Sequence, residues 1–267
     1  MARLSGNRIS LPQSDSRIHW GSGEIGGPRH EYREALMLRL LRGELPGGGV
    51  VLDAGCGSGS LLFKLGRFDC TVHGIEQSEE FVGMLQARVR SSGITNKISV
   101  RQGSVMKIPY PDKTFDAVVS GEVLEHVPDD VSAITEFYRV LRPGGICVAS
   151  VPAFPALWDL SDKWAGHLRR YTKEGLINLF EKKGFIIEDV RSWGFPFVRL
   201  YHRFLYMPHI RKRISSASED AVTPPDAGNH RWMVRVLGMI FRLDSLFQWT
   251  PFGMGLILKA RKPCAET

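Results

Sequence analysis

Short apolar runs alternate along this chain with longer stretches in which apolar residues recur every third or fourth position. The runs beginning at Val50, Cys70, Lys97, Phe115 and Ile146 read as strands, and the first is apolar enough to be covered on both faces. Two later runs, Phe185 to Gly194 and Gly253 to Pro263, read as a sixth and a seventh strand. Strands separated by helical patterns predict an α/β fold: a doubly wound, seven-stranded, mostly parallel sheet with ligands at the carboxyl ends of the strands. Nearly sixty residues lie between the last two strands, too many for an idle loop in a compact domain. Their first part, FPFVRLYHRFLYMPHIRKRI, and their last, HRWMVRVLGMIFRLDSLF, mix apolar and aromatic residues with arginines at helical spacing. Between them SSASEDAVTPPDAGN is rich in turn and disorder formers. The expected organisation is a lead-in or lid at 1–29, a core at 30–194, a helical insertion at 195–250 and a terminal strand within 251–267.

The most informative chemistry lies where the first strand ends, in GVVLDAGCGSGSLLFKL. Asp53 closes the strand with a carboxylate, and Gly55, Gly57 and Gly59 let the backbone turn and approach a ligand without a Cβ in the way. Cys56 reads as a small packing residue within this loop. A helix starting near Ser60 turns its unpaired amides toward the same point, which favours an anionic group. The spacing D-x-G-x-G-x-G is neither the dinucleotide pattern G-x-G-x-x-G nor a phosphate loop ending in G-K-[ST].

These residues resemble the first motif of the class I S-adenosylmethionine-dependent methyltransferases, a Rossmann-like fold, and the likeness runs from about residue 30 to 190. The resemblance implies that Asp53, Gly55, Cys56, Gly57 and Gly59 hold the methionine side of S-adenosylmethionine, the product being S-adenosylhomocysteine. It implies that Glu76, with Gln77 beside it, accepts hydrogen bonds from the ribose hydroxyls. Gly103, Ser104 and Val105 match the family's adenine turn, although the family often has an acid where Ser104 stands. Ser120 and Gly121 lie where main-chain carbonyls meet the methionine amino group. LRPGG, Leu141 to Gly145, resembles the turn before the family's fifth strand, and the seventh strand its antiparallel edge.

Methyl transfer from a sulfonium is an in-line displacement whose donor carries its own leaving group, so the enzyme chiefly aligns and desolvates the reactants. A base is needed only where the acceptor must lose a proton. Glu122, Glu125 and His126, in EVLEH, share one face if that loop is helical, and offer a base, a substrate contact or structural hydrogen bonds. The string is similar to one in ubiquinone-biosynthesis O-methyltransferases, where it is associated with a divalent metal. No metal is expected here, and Glu122, Glu125 and His126 are the candidates if one binds. A second string, GHLRRYT, brings His167, Arg169, Arg170 and Tyr171, suited to an acidic acceptor. It resembles a string in a bacterial small-molecule branch of the superfamily. Its arginines pair with Asp159 or Asp162 in the alternative reading. His126, His167 and Tyr171 are the catalytic candidates, and Glu122, Arg169, Arg170, Tyr201 and His202 the substrate-binding ones. His19, Trp20, His30 and Tyr32 precede or open an amphipathic helix that covers the donor in related enzymes.

Composition then narrows the partners. The chain has 267 residues, 43% of them hydrophobic, enough to bury a full core. The four cysteines have no C-x-x-C spacing and read as reduced cytosolic thiols, and no signal peptide opens the chain. The formal charge of +7 is uneven: residues 51–150 sum to −2 and 151–267 to +7. The basic field therefore sits on the C-terminal part. Neither appended RNA-binding motif nor the [DNS]-P-P-[YFW] string of amino-methylating enzymes is present, so a small-molecule acceptor is expected and nucleic acid is not. The reading is a cytoplasmic methyltransferase acting most naturally at oxygen, with sulfur, nitrogen and carbon open. A non-catalytic S-adenosylmethionine-binding protein and an RNA methyltransferase are the alternatives. The insertion either completes the packing, lines the acceptor pocket or docks peripherally on a membrane through its arginines and aromatics.

Overall fold

Valine and isoleucine runs that alternate with amphipathic segments are all covered when the strands lie in the middle and the helices outside. The computed structural model has this form over the residues it describes, 27–45, 47–215 and 231–264. The elements are α1 (Pro28–Leu41), β1 (Gly49–Ala54), α2 (Ser60–Leu65), β2 (Cys70–Glu76), α3 (Glu79–Ser91), β3 (Ile98–Gln102), β4 (Phe115–Gly121), α4 (Asp130–Val140) and β5 (Leu141–Pro152). They continue with α5 (Leu160–Ala165), α6 (Lys173–Glu181), β6 (Ile186–Trp193), α7 (Phe197–Tyr201), α8 (Met207–Ser215), α9 (Arg231–Phe241) and β7 (Gly255–Arg261). The sheet order is β3-β2-β1-β4-β5-β7-β6, with β7 antiparallel to both neighbours and the other pairs parallel. The order reverses between β1 and β4, which is where such sheets open a crevice at their carboxyl ends.

Each face of the sheet has its own core. On one, Phe115, Phe137, Phe180 and Leu258 are fully buried with α4 and α6; on the other, Met37, Leu62, Leu65 and Leu85 join α1, α2 and α3 to β1 and β2. Caps delimit the helices around the crevice. Ser78 accepts from the Phe81 amide ahead of α3, and Asp129 from the Ser132 amide ahead of α4.

Two local expectations change. LRPGG is not a turn outside the sheet: β5 already begins at Leu141, paired with Phe115, and the register then shifts so that Ile146 pairs with Ala117. Pro143 lacks an amide and Gly144 is left-handed at φ 80°, so the strand kinks there and continues. EVLEH, in turn, is not helical. Glu122 has φ 57°, which redirects the chain directly after β4, and Leu124 to His126 form a turn closed by the His126 amide on the Val123 carbonyl.

The segment between β6 and β7 is helical where described: α7, a π-turn at His202–Tyr206, α8, α9 and a 3-10 segment at Arg242–Phe247. Asp244, buried, accepts from the amides of Phe197 at 2.8 Å and Val198 at 3.1 Å, binding the end of the insertion to its beginning. Among the described residues no helix is long and apolar enough to cross a membrane. Residues 1–26, with His19 and Trp20, and 216–230, with most of the turn-rich stretch, lie outside the described residues.

Candidate functional site

The loop after β1 has three glycines with two different reasons to exist. Gly55, at φ 81°, packs so closely that a Cβ would sit 2.6 Å from Val123 Cγ2; at Gly59, also φ 81°, it would sit 2.4 Å from Leu85 Cδ2. These two let neighbouring elements close on the loop. Gly57 at φ 48° is different: a Cβ there would meet nothing within 4 Å among the described residues. It faces the open crevice, the place where a ligand can approach the backbone. Cys56 is buried beside Gly74, and burial pushes its thiol up, so it packs rather than reacts.

The surroundings of this loop are acidic. Asp53 is 1% exposed and its Oδ2 has no hydrogen-bond partner among the described residues; burial first, then the charges of Glu34 and Glu76, pushes its carboxyl well up. Glu76 accepts from the Gly57 amide on Oε2 and from the Ser78 amide on Oε1, each at 2.9 Å. Two amides therefore fix this carboxylate while leaving further lone pairs on both oxygens for a diol. Helix α2 is short, and its Ser60 hydroxyl donates to Glu34 Oε2 at 2.8 Å. The crevice thus suits a ligand that brings positive charge beside hydroxyls, rather than the anionic group that the helix start suggests. An S-adenosylmethionine molecule, with ammonium, sulfonium and ribose, fits this donor set.

Helix α1 lies over the loop. Its buried Glu34 receives Lys64 Nζ at 2.5 Å and lies 2.8 Å from His30 Nε2. Burial raises this carboxyl, but the hydrogen bonds and charges of His30 and Lys64 outweigh it and hold it at about 2. Met37, on the same helix, is the nearest side chain to Gly121. Glu34 was not legible in sequence, since nothing in an amphipathic helix tells which polar residue a loop will bury.

The remaining donor-side candidates surround the crevice. Ser120, 1% exposed, donates its hydroxyl to the Ala54 carbonyl, joining β4 to β1. Gly103 packs against Pro109, where a Cβ would come within 2.9 Å; Ser104 Oγ accepts from the Met106 amide, and Val105 is buried. Gln77 is exposed and its carbonyl receives Gln102 Nε2.

On the far side of β4, Glu125, His126 and His167 come together. Glu125 is fully buried, neither of its oxygens has a hydrogen-bond partner among the described residues, and Oε1 lies 3.8 Å from His126 Nε2 and 3.9 Å from His167 Nε2. Burial, with Glu122 next, pushes this carboxyl well up, toward the neutral acid. The imidazoles meet edge to face at 4.8 Å. His167 Nδ1 is 2.8 Å from Asp162 Oδ1, a contact that orients the ring and leaves Nε2 toward Glu125. Ligand atoms of Glu125, His126 and His167 all lie within 4.8 Å of one another, so His167 stands where the sequence placed Glu122 in a metal set. Glu122 instead accepts from the Ser150 hydroxyl and faces Arg33 at 3.7 Å, between the two halves of the crevice.

The rest of GHLRRYT is spent on the protein. Arg170, buried, places Nε and NH2 each 2.8 Å from the two oxygens of Asp162 and donates a third bond to the Ala153 carbonyl. Burial raises the Asp162 carboxyl, and His167 and Arg170 more than reverse this and hold it low. Arg169 pairs with Asp130 at 2.9 Å and donates to the Pro128 carbonyl. Tyr171, 5% exposed, bonds Asp130 Oδ2 and the Leu124 carbonyl, and burial followed by the Asp130 contact drives its phenol upward. The alternative in which the arginines pair within the chain is what this loop shows, with Asp162 as one of the partners. His202 is likewise buried between Asp159, at 2.9 Å, and Arg29, at 3.2 Å, and Tyr201 meets Phe241 edge to face. His202 fastens the insertion to the core, whereas Tyr201 holds two helices of the insertion together. Asp130 escaped sequence reading because a helix-opening aspartate looks like any cap.

Residues 52–149 match the family described as the Methyltransferase domain. The chain is 32% identical over 207 residues to a demethylmenaquinone methyltransferase of Lactiplantibacillus plantarum, covering 76% of this chain and 78% of that one. It is 32% identical over 141 residues to a Mycolicibacterium smegmatis protein described as a probable S-adenosylmethionine-dependent methyltransferase, 52% of each chain. Among solved structures, the [4+2]-cyclase SpnF superposes with a TM-score of 0.63 at 26% identity, covering 93% of this chain and 88% of that one. The chain spans about half, or less, of the length of several curated relatives that it matches, 37–52% for three of them.

Proposed function

The chain belongs to the class I S-adenosylmethionine-dependent methyltransferases, and from that membership we propose that it transfers a methyl group from S-adenosylmethionine to a small organic acceptor, at oxygen. One observation carries the donor half: the open face at Gly57 is flanked by a buried, unpartnered Asp53 oxygen and by Glu76, held by two amides with acceptor capacity to spare. Fold alone would not carry it, since chains of this architecture include a [4+2]-cyclase. When bound, S-adenosylmethionine supplies an activated methyl group and departs as a neutral thioether. The chain's own residues then bind, align and exclude water. Asp53 and the carbonyls of Ser120 and Gly121 take the cationic methionine end, Glu76 and the Gln77 backbone the ribose, and Gly103 to Val105 the adenine.

The acceptor half rests on Glu125, His126 and His167. His167 is oriented through Nδ1 by Asp162, so its Nε2 is the natural proton acceptor for an acceptor hydroxyl, with His126 beside it. Glu125 Oε1 lies between the two Nε2 atoms and lines the side of the cluster away from solvent. The proton transfer calls for no metal, and turnover is expected to persist in excess chelator. Tyr171, Arg169 and Arg170 hold this arrangement in shape through Asp130 and Asp162.

A lipophilic acceptor, methylated at carbon, sulfur or nitrogen, is the second reading, and the exposed apolar side chains of the insertion favour it. Both readings are tested by pairing donor calorimetry with a screen for transfer of radiolabelled methyl to phenols, thiols, isoprenoid acids and amines. Donor binding with label on a phenol or acid hydroxyl is the expected result. Label confined to carbon, sulfur or nitrogen selects the second reading, and absence of donor binding overturns both.

A further inference from the structure

Helix α9, RWMVRVLGMIF, is apolar on two sides. Inward, Phe241 is buried against Tyr32 of α1 and Tyr201 of α7. Outward, Trp232, Met233, Val236, Met239 and Ile240 stand in solvent. Arg235 marks a narrow polar edge, so the apolar arc of this helix is wider than its buried side needs and part of it meets water. The 3-10 segment and the approach to β7 continue the surface with Leu243, Leu246, Trp249 and Phe252, and α7 with its π-turn adds Leu200 and Phe204. Trp249 is 84% exposed, Leu246 67%, Trp232 65% and Phe204 64%. Elements α7, α9 and the 3-10 segment pack on one another, so these exposed side chains are carried by one packed helical unit and not scattered over the molecule.

Charge selects the occupant. The described stretches 195–215 and 231–252 contain eight arginines and lysines and a single acid, Asp244, which is buried and spent on two backbone amides. Arg203, Arg235 and Arg242 are exposed among the apolar side chains, and no ion pair among the described residues engages Arg235 or Arg242. A second copy would bring the same positive charge against itself. An anionic bilayer answers both properties: phosphates for the guanidinium groups, the headgroup boundary for tryptophan, and the upper acyl region for leucine and methionine. We propose that this face of the insertion docks on the surface of an anionic membrane, lying on it without spanning it. The inference goes beyond methyl transfer and does not depend on it.

The test uses the full chain with vesicles of phosphatidylcholine alone and of phosphatidylcholine with phosphatidylglycerol, by co-sedimentation and tryptophan emission. Binding to the anionic vesicles only, a blue shift in emission and loss of binding at high salt are expected. A Leu246→Glu/Trp249→Glu variant should lose binding. An Arg235→Glu/Arg242→Glu variant should lose at least about twentyfold, because each arginine near such a surface adds about fivefold. Donor calorimetry on both variants should match the parent, which separates docking from folding and from the donor site. Absence of binding to anionic vesicles overturns the proposal, as does undiminished binding of both variants. A dimer in sedimentation velocity that Leu246→Glu/Trp249→Glu dissolves would assign the face to a second copy, and retention of RNA in place of vesicles would assign the arginines to nucleic acid; either overturns it too.

Discussion

Replacing Glu34 by glutamine removes one charge from the contact between α1 and the donor loop while keeping the side chain's size. The parent carboxylate is 3% exposed and is engaged by His30, Ser60 and Lys64. Its fall from the ordinary 4.5 to about 2 corresponds to about 3 kcal/mol of stability at neutral pH. Because the folded value is depressed, this contribution is complete above the unfolded value near 4.5 and is lost as pH falls through the folded value near 2. Glutamine has no such titration. It still accepts from Ser60 or Lys64, so the useful quantity is not the gap between parent and Glu34→Gln at one pH but its change. Urea denaturation followed by tryptophan emission should show that gap shrinking by about 2 kcal/mol between pH 7 and pH 3. Parallel profiles for the two proteins would refute the assignment of a charged Glu34. A Glu34→Gln protein more stable than the parent at pH 7 would show instead that desolvation costs more than the contacts return.

The donor loop should separate its glycines by assay. Gly59→Ala, which must displace Leu85, lowers thermal stability, whereas Gly57→Ala folds and loses donor affinity in calorimetry. Glu76→Ala should weaken donor binding by about a hundredfold, roughly two charge-assisted hydrogen bonds, and should also lower the melting temperature, because the amides of Gly57 and Ser78 lose their acceptor. Asp162→Asn should lower turnover and change its pH profile, because the ring it orients loses its carboxylate, and it should also cost stability through the stranded Arg170 guanidinium. Tyr171→Phe should cost about 1–2 kcal/mol of stability with little change in the pH profile; an altered profile would return Tyr171 to the chemistry.

What could be read from the sequence is what local chemistry decides. An aspartate closing an apolar strand, alternating glycines behind it and an acid at the next strand end announce a mostly parallel sheet with an open crevice at its carboxyl ends, because a tight turn tolerates few other residues. His167, Arg170 and Tyr171 are different. Whether a guanidinium faces a solute or Asp162 depends on where α5 packs, and no spacing in GHLRRYT encodes that. EVLEH fails for a related reason: i, i+3, i+4 spacing assumes a helix, while the left-handed Glu122 turns the chain aside and lets His167, forty-one residues on from His126, complete the cluster. Glu34 is the converse case, an ordinary surface pattern whose burial only tertiary packing creates.

In the register of β6 and β7, Trp193 stands opposite Gly255, so the chain leaves the sheet and returns to it at one point. The insertion is therefore the enlarged tip of a hairpin, closed on itself by Asp244, and its length does not enter the geometry of the strands around the donor. Exchanging this surface would leave the strand register alone but would have to rebuild the contacts of Phe241 with Tyr32 and of His202 with Asp159.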